Sequence, residues 1–312
     1  MNKSFNFTKN KVKLLLLPVI IIVLGIIMYF VHGGFNFDVE FMGGIRMQIN
    51  VGESFKNSDV EKLVEDATGL DATVQSGSMG DIAVIKLPAS ESTQKDEENK
   101  NKAFEALKDK YSLNDEALMS AQSAAPSFGK EVQGKAVSFT LLAILFVLIY
   151  IIFRFDLKSG VMAIFALVIN VLVMAAVYTI TNIAINTTFI AAMLTVVGYS
   201  INNTIVIFDR IRENKRFRRR NESIAEMTNR SIRETLGRTV NSTITTLITI
   251  FLIYILGVTT IKQFALPLII GIIAGAYTSI FVASTFWAAW QEASAEAKAA
   301  AAAEKKSSKK NK

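Results

Sequence analysis

The chain has 312 residues, 51% of them hydrophobic, which is too apolar for a water-soluble domain of this length. It has no cysteine, so disulfides and thiolate-bound metals are excluded. The formal charge of +7 comes from 34 Lys and Arg against 27 Asp and Glu that are unevenly placed along the chain, and it is not read as a nucleic-acid signal.

The apolar residues fall in six blocks: Leu14–Val31, Ala136–Phe153, Gly160–Ile180, Phe189–Phe208, Thr239–Gly257 and Phe264–Trp290. Each is about the length a helix needs to cross a bilayer, roughly 20 residues, and none contains Asp, Glu, Lys, Arg or His. The expectation is a membrane all-α bundle of six transmembrane helices. The first block follows Lys3, Lys9, Lys11 and Lys13, as a signal peptide would. Its length and the lack of a small-residue cleavage site point instead to a retained anchor. The lysines place the N-terminus in the cytoplasm, and six spans return the C-terminus there. On that topology the cytoplasmic segments hold 22 of the 34 basic residues, whereas residues 32–135 hold 11 basic and 18 acidic ones. The short outer loops carry only Lys262, as the positive-inside rule requires.

Residues 1–31 are thus read as N-terminus and first span, and 32–135 as a folded extracytoplasmic domain. Residues 136–290 are read as the remaining spans and 291–312 as a basic cytoplasmic tail. In the outer domain Ile45, Met47, Ile49 and Val51 alternate like a half-buried strand. Ser58–Ala67 reads as a helix with Val60, Leu63, Val64 and Ala67 on one face. Ala72–Gln75 and Ile82–Leu87 read as strands around the turn Ser76–Gly80, and Ser90–Lys100 as a polar stretch. Ala103, Phe104, Leu107 and Tyr111 make a second helical stripe, and Ala117–Ser123 a last strand. The order β-α-β-β-α-β predicts a ferredoxin-like α+β domain.

The loop Asp209–Arg238 carries ten basic residues, with Arg218, Arg219 and Arg220 together. Ser223 and Glu226 form a candidate capping box. Ile224, Ala225, Thr228, Ile232 and Leu236 then share a helical face, suiting a helix along the membrane surface. A solvated charged connector is the other reading, and attraction of these basic segments to anionic lipid accompanies either. The Ala-rich, then Lys-rich tail is read as continuing the last span before losing order.

Polar groups inside a membrane need partners, so they are the candidate functional residues. The fourth block holds Thr195, Tyr199, Ser200, Asn202, Asn203 and Thr204. The fifth holds Asn241, Thr245 and Thr249 at helical spacing, with Ser242 and Thr246 beside them, and the third holds Asn170. They serve either as interhelical hydrogen bonds or as a polar conduit. Gly271 and Gly275 allow close helix approach. Arg238 stands at the mouth of the fifth span, placed to anchor the helix end or to snorkel. His32 is the only histidine and is expected at the membrane interface. No phosphate-binding loop of the G-x-x-x-x-G-K-[ST] kind is present, and no cofactor or catalytic constellation is legible, so an enzyme is not expected.

The run Val197-Gly198-Tyr199-Ser200-Ile201-Asn202-Asn203-Thr204-Ile205-Val206-Ile207-Phe208-Asp209-Arg210-Ile211-Arg212-Glu213 resembles the signature of the SecF family, accessory subunits of the bacterial protein translocase. Phe37 to Gly44, with the Gly43-Gly44 pair, resembles that family's motif after the first span. Arg233 to Thr239 resembles its entry to the fifth span, and Phe264 to Ile280 its sixth. The resemblance implies half of an RND-like pair in the bacterial plasma membrane. The implied partners are SecD, the SecY channel and an emerging unfolded polypeptide, and the drive is an ion gradient rather than ATP. A six-span half of an RND-type solute or lipid exporter is the alternative. The chain departs from the family pattern where Asn203 stands in place of Asp and Ile169-Asn170 in place of a His-Asp pair. An amide cannot carry a proton. Three readings follow: SecD holds the only ionisable site, the coupling ion is Na⁺ rather than H⁺, or coupling is lost. The first is favoured.

Overall fold

The computed structural model describes residues 5–77, 80–90, 92–124, 126–154, 156–218 and 221–310. Ser78 and Met79 of the expected turn, Arg219 and Arg220 of the basic loop, and Lys3 and Lys312 lie outside them. In chain order the elements begin with α1 (Lys11–Val31), α2 (Val39–Met42), β1 (Gly44–Asn50), α3 (Asn57–Thr68), β2 (Thr73–Ser76) and β3 (Ile82–Leu87). They continue with α4 (Thr93–Tyr111), a short 3₁₀ turn (Asp115–Ala117), β4 (Leu118–Ala124), α5 (Pro126–Arg154), α6 (Leu157–Ile180) and α7 (Thr187–Arg216). Last come α8 (Ile224–Leu256), α9 (Thr259–Tyr277), a π-helical segment (Thr278–Ala283) and α10 (Ser284–Lys310). They form two compact units. One is Met1–Phe35, Thr140–Ile183 and Thr188–Lys312; the other is Asn36–Phe139 and Ala184–Thr187.

The smaller unit is a four-stranded sheet in the order β2-β3-β1-β4 with every neighbouring pair antiparallel. Ile45, Met47, Ile49, Val74, Ile85 and Leu87 of the sheet pack with Val60 and Val64 of α3 and Ala103, Phe104 and Leu107 of α4. Here β1 departs from the half-buried reading. It is a central strand, and Arg46 and Gln48 on its other face are buried too. The polar stretch also differs: Thr93–Lys100 is already helical, because the Ser92 side chain accepts from the Lys95 amide and caps α4.

The larger unit is helical. Among the described residues, five segments are long and apolar enough to cross a membrane: Lys11–Val31, Leu157–Ile180, Thr187–Arg216, Ile224–Leu256 and Ile261–Ala302. The block Ala136–Phe153 falls within α5, several of whose side chains lie outside the described residues. Gly25 of α1 meets Ala176 of α6 so closely that a Cβ would overlap the alanine. On α9, a Cβ at Gly271 would lie 2.5 Å from Val196 and 2.7 Å from Met174 Sδ. Small residues thus set the approach of these helices, as expected where lipid tails leave no hydrophobic drive to associate.

The expected surface helix is corrected. Ile224–Leu256 is one continuous helix, and its apolar residues Ile224, Met227, Ile232 and Leu236 pack with Phe7, Phe208 and Trp287 of the same unit. Packing on protein replaces packing on lipid. The capping box is present, with Ser223 Oγ accepting from the Glu226 amide and Glu226 accepting from the Ser223 amide. The last apolar block is interrupted by the π-helical turn at Thr278–Ala283, a device common at functional sites. His32 caps α1, with Nδ1 3.1 Å from the Thr179 carbonyl.

Candidate functional site

Three faces of α7 separate the sequence-predicted polar residues. Adjacent residues on a helix point about 100° apart. Ser200, Asn203 and Thr204 turn inward and are buried, while Gly198 and Asn202 are exposed and Tyr199 is half-buried.

The inward face joins α6, α7 and the π-helical segment. Asn170 Nδ2 donates to Ser200 Oγ at 2.7 Å. Thr204 Oγ1 donates to Ser279 Oγ at 2.8 Å, and Ser279 donates in turn to the Ser200 carbonyl at 3.0 Å. Gly275 makes this possible, because a Cβ there would overlap Ser200 Oγ and lie 2.8 Å from Asn170 Nδ2. The cluster is built of amides and hydroxyls. It holds helices together by neutral hydrogen bonds and offers no group that titrates near neutral pH. Asn170 Oδ1 and Asn203 Nδ2 are buried without a hydrogen-bond partner among the described residues.

The α8-facing side brings the Tyr199 hydroxyl 3.5 Å from both Thr243 Oγ1 and Thr246 Oγ1. Thr239 is buried beside them, its hydroxyl unpaired among the described residues.

The outward face carries Gly198, Asn202, Asn241, Thr245 and Thr249, all exposed on this chain. Thr245 returns its hydroxyl hydrogen to the Ser242 carbonyl at 2.9 Å, and Thr249 to Thr245 at 3.2 Å. The Asn202 and Asn241 side chains make no such local bond among the described residues.

At the end of α7, Asp209, Arg210, Arg212 and Glu213 form a charged lattice. Arg210 Nε meets Glu234 at 2.7 Å and its second nitrogen Glu213 at 2.6 Å; Arg212 meets Asp209 at 2.9 Å. A cleft of about 670 Å³ opens there, lined by Val206, Arg216, Thr235 and Arg238 with the lattice. Arg238 is exposed at this cleft.

Gly43 and Gly44 lie apart from these faces, in the smaller unit. Gly43 (φ 80°) ends α2, and Gly44 (φ 123°) turns into β1 against the Leu87 carbonyl, where a side chain has no room. Sequence reasoning left four residues without a role. Asp38 is fully buried, caps α2 through Val39 N–H and pairs with Arg46 at 3.1 Å. Glu40 accepts from the Thr187 amide at 2.8 Å and its hydroxyl at 2.5 Å, capping the start of α7. Asn214 donates to Ser231 and Glu234, and Asn229 Oδ1 receives the Phe7 and Thr8 amides. The signal for Asp38 and Glu40 was their place beside the Gly-Gly pair; Asn214 and Asn229 gave none.

An apolar helical bundle with an uncharged polar interior, joined to a small antiparallel sheet domain, defines a multi-pass membrane protein. The profile of the family described as "Protein export membrane protein SecD/SecF, C-terminal" matches residues 103–293. The chain is 34% identical over 294 residues to the protein translocase subunit SecF of Thermobaculum terrenum, covering 88% of this chain and 90% of the relative. It is 31% identical over 264 residues to the protein translocase subunit SecDF of Thermus thermophilus, covering 83% of this chain but only 35% of that longer polypeptide. The crystal structure of Thermus SecDF superposes with a TM-score of 0.81 at 31% identity, covering 93% of this chain and 39% of that one. A SecDF structure in a super-membrane-facing form gives 0.68 at 30% identity, with 96% and 40% coverage. The chain belongs to the SecD/SecF family of protein export membrane proteins, and within it to SecF.

Proposed function

We propose that this chain is the SecF half of an accessory unit of the Sec translocase, paired with SecD and promoting late-stage export of polypeptides on the ion gradient. The outward polar face of α7 and α8 carries the pairing. Asn202 and Asn241 are costly against lipid, and Gly198 beside them leaves room for another helix backbone. Family membership supports SecD as the occupant, since the SecDF relatives carry this chain's counterpart within one longer polypeptide.

The finer architecture follows from the same reading. Six spans are proposed, with α5 as the second and α9, the π-helical segment and α10 together as the sixth. The outer domain is read as ferredoxin-like, supported by its strand order and antiparallel pairing. The bacterial plasma membrane is the proposed location, with both termini cytoplasmic by the distribution of basic residues. SecY and the emerging polypeptide are the further proposed partners, with anionic lipid at the basic segments and no nucleic acid. The chain is proposed to be neither an enzyme nor a cofactor carrier. With Asn170 and Asn203 neutral, H⁺ or Na⁺ coupling is assigned to a SecD carboxylate.

Replacing Asn202 and Thr245 each by Trp tests the pairing. Loss of co-purification with SecD and slowed secretion, with the chain still accumulating, are the expected results. Undiminished recovery of SecD with both variants sinks the assignment. A stable homodimer lacking SecD and SecY supports the exporter alternative instead.

A further inference from the structure

Asn203 on α7 and Thr239 on α8 each bury a polar atom, Nδ2 and Oγ1, that has no partner among the described residues. The two helices run antiparallel, and their cross-links set the register. Tyr199 meets Thr243 and Thr246; further along, Arg210 meets Glu234 and Asn214 meets Ser231. As α7 advances, its partner on α8 recedes. Asn203, one turn beyond Tyr199, therefore falls level with Thr239, one turn before Thr243.

Two further features bear on this pair. The Tyr199 contacts, at 3.5 Å, are well beyond the usual span of a hydroxyl–hydroxyl bond, so the seam is loosely closed. The cleft of about 670 Å³ ends on Val206, one turn beyond Asn203, and Thr235, one turn before Thr239. A polar seam with unpaired donors next to an open cleft meets the conditions for bound water.

We propose that water enters the α7–α8 seam from this cleft and that one molecule bridges Asn203 Nδ2 to Thr239 Oγ1. The water accepts from the amide and exchanges a hydrogen bond with the hydroxyl, in reach of the Tyr199 end of the seam. A cation is the poorer occupant. The amide hydrogens repel it, and the facing residues Asn203, Thr239 and Thr243 supply no carboxylate to neutralise it. The family signature here lines a hydrated path that does not itself titrate. Only the side from which water enters rests on the proposed membrane orientation.

The absence of cysteine makes the test clean. In membranes, Thr239→Cys is expected to react with Ag⁺, a thiol-seeking ion of roughly water's size, about tenfold faster than Ile207→Cys, which is buried in the helical core. Thr243→Cys, one turn further into the seam, carries the same test if Thr239→Cys does not accumulate, and Thr235→Cys, which lines the cleft, is the accessible control. Protection of Thr239→Cys and Thr243→Cys equal to that of Ile207→Cys overturns the proposal. Arg216→Cys, exposed at the cleft, reports through an impermeant maleimide which side of the membrane the cleft faces. An error of orientation appears there and leaves the seam result standing.

Discussion

Tyr277 donates its phenolic hydrogen to the Leu14 carbonyl at 2.7 Å, across 263 positions of sequence. Leu14 lies four residues before Pro18, which has no amide hydrogen to complete the helical bond. Tyr277 supplies the missing donor, at the residue where α9 passes into the π-helical segment. Tyr277→Phe leaves that carbonyl unpaired and is expected to destabilise by about 1–3 kcal/mol. In Pro18→Ala the helix supplies its own donor, so the same change is expected to lose less. A double-mutant cycle of thermal unfolding in detergent measures the difference; equal losses in both backgrounds contradict the pairing.

Gly275 and Gly237 predict opposite outcomes for the same substitution. A methyl at Gly275 overlaps Ser200 Oγ, whereas at Gly237 it meets nothing within 4 Å. Gly275→Ala is expected to destabilise by about 1–3 kcal/mol through overpacking. Gly237→Ala is expected to stabilise by up to about 1 kcal/mol through helix propensity. Both are read from the shift in melting temperature.

Asp38 is the shared anion of Arg46 and Lys86, at 3.1 and 3.9 Å. Asp38→Asn leaves two cations in the domain interior and is expected to cost about 3–5 kcal/mol. Burial, outweighing the pull of Asp38, lowers the Lys86 pKa below its ordinary 10.5. Between that lowered value and 10.5 the unfolded chain binds the proton and the folded chain does not. The Lys86 contribution therefore improves as pH rises through this window, and it is lost as pH falls through the folded value. Lys86→Met is expected to flatten that part of the stability–pH curve.

Asn229 holds the N-terminal segment through the Phe7 and Thr8 amides, at 2.8 and 3.2 Å. Asn229→Ala is expected to release it, and limited trypsin digestion at Lys9 and Lys11 reads the release. An unchanged cleavage rate places the anchoring elsewhere, for instance in the stacking of Phe7 on Phe281.

Much of the sheet domain was legible before folding. The strand Ile82–Leu87 and the stripe Ala103, Phe104, Leu107 and Tyr111 follow from local periodicity, which survives packing. The surface-helix reading of Ile224–Leu236 failed because an amphipathic face looks the same whether it meets lipid or protein. In α8 that face meets Phe7 and Trp287, which lie far away in sequence.

The sequence by itself determined the membrane class, the family and the neutrality of the interior, because hydropathy, motif and residue type are local properties. Only the tertiary structure decided which polar residue does what. Asn202 and Asn203 are neighbours in one motif, yet one faces outward and the other is buried within the helical unit, since a single helical step turns the side chain by about 100°. Whether an amide in a membrane is a docking group or an interior one depends on what stands opposite it, and the chain fixes that only on folding.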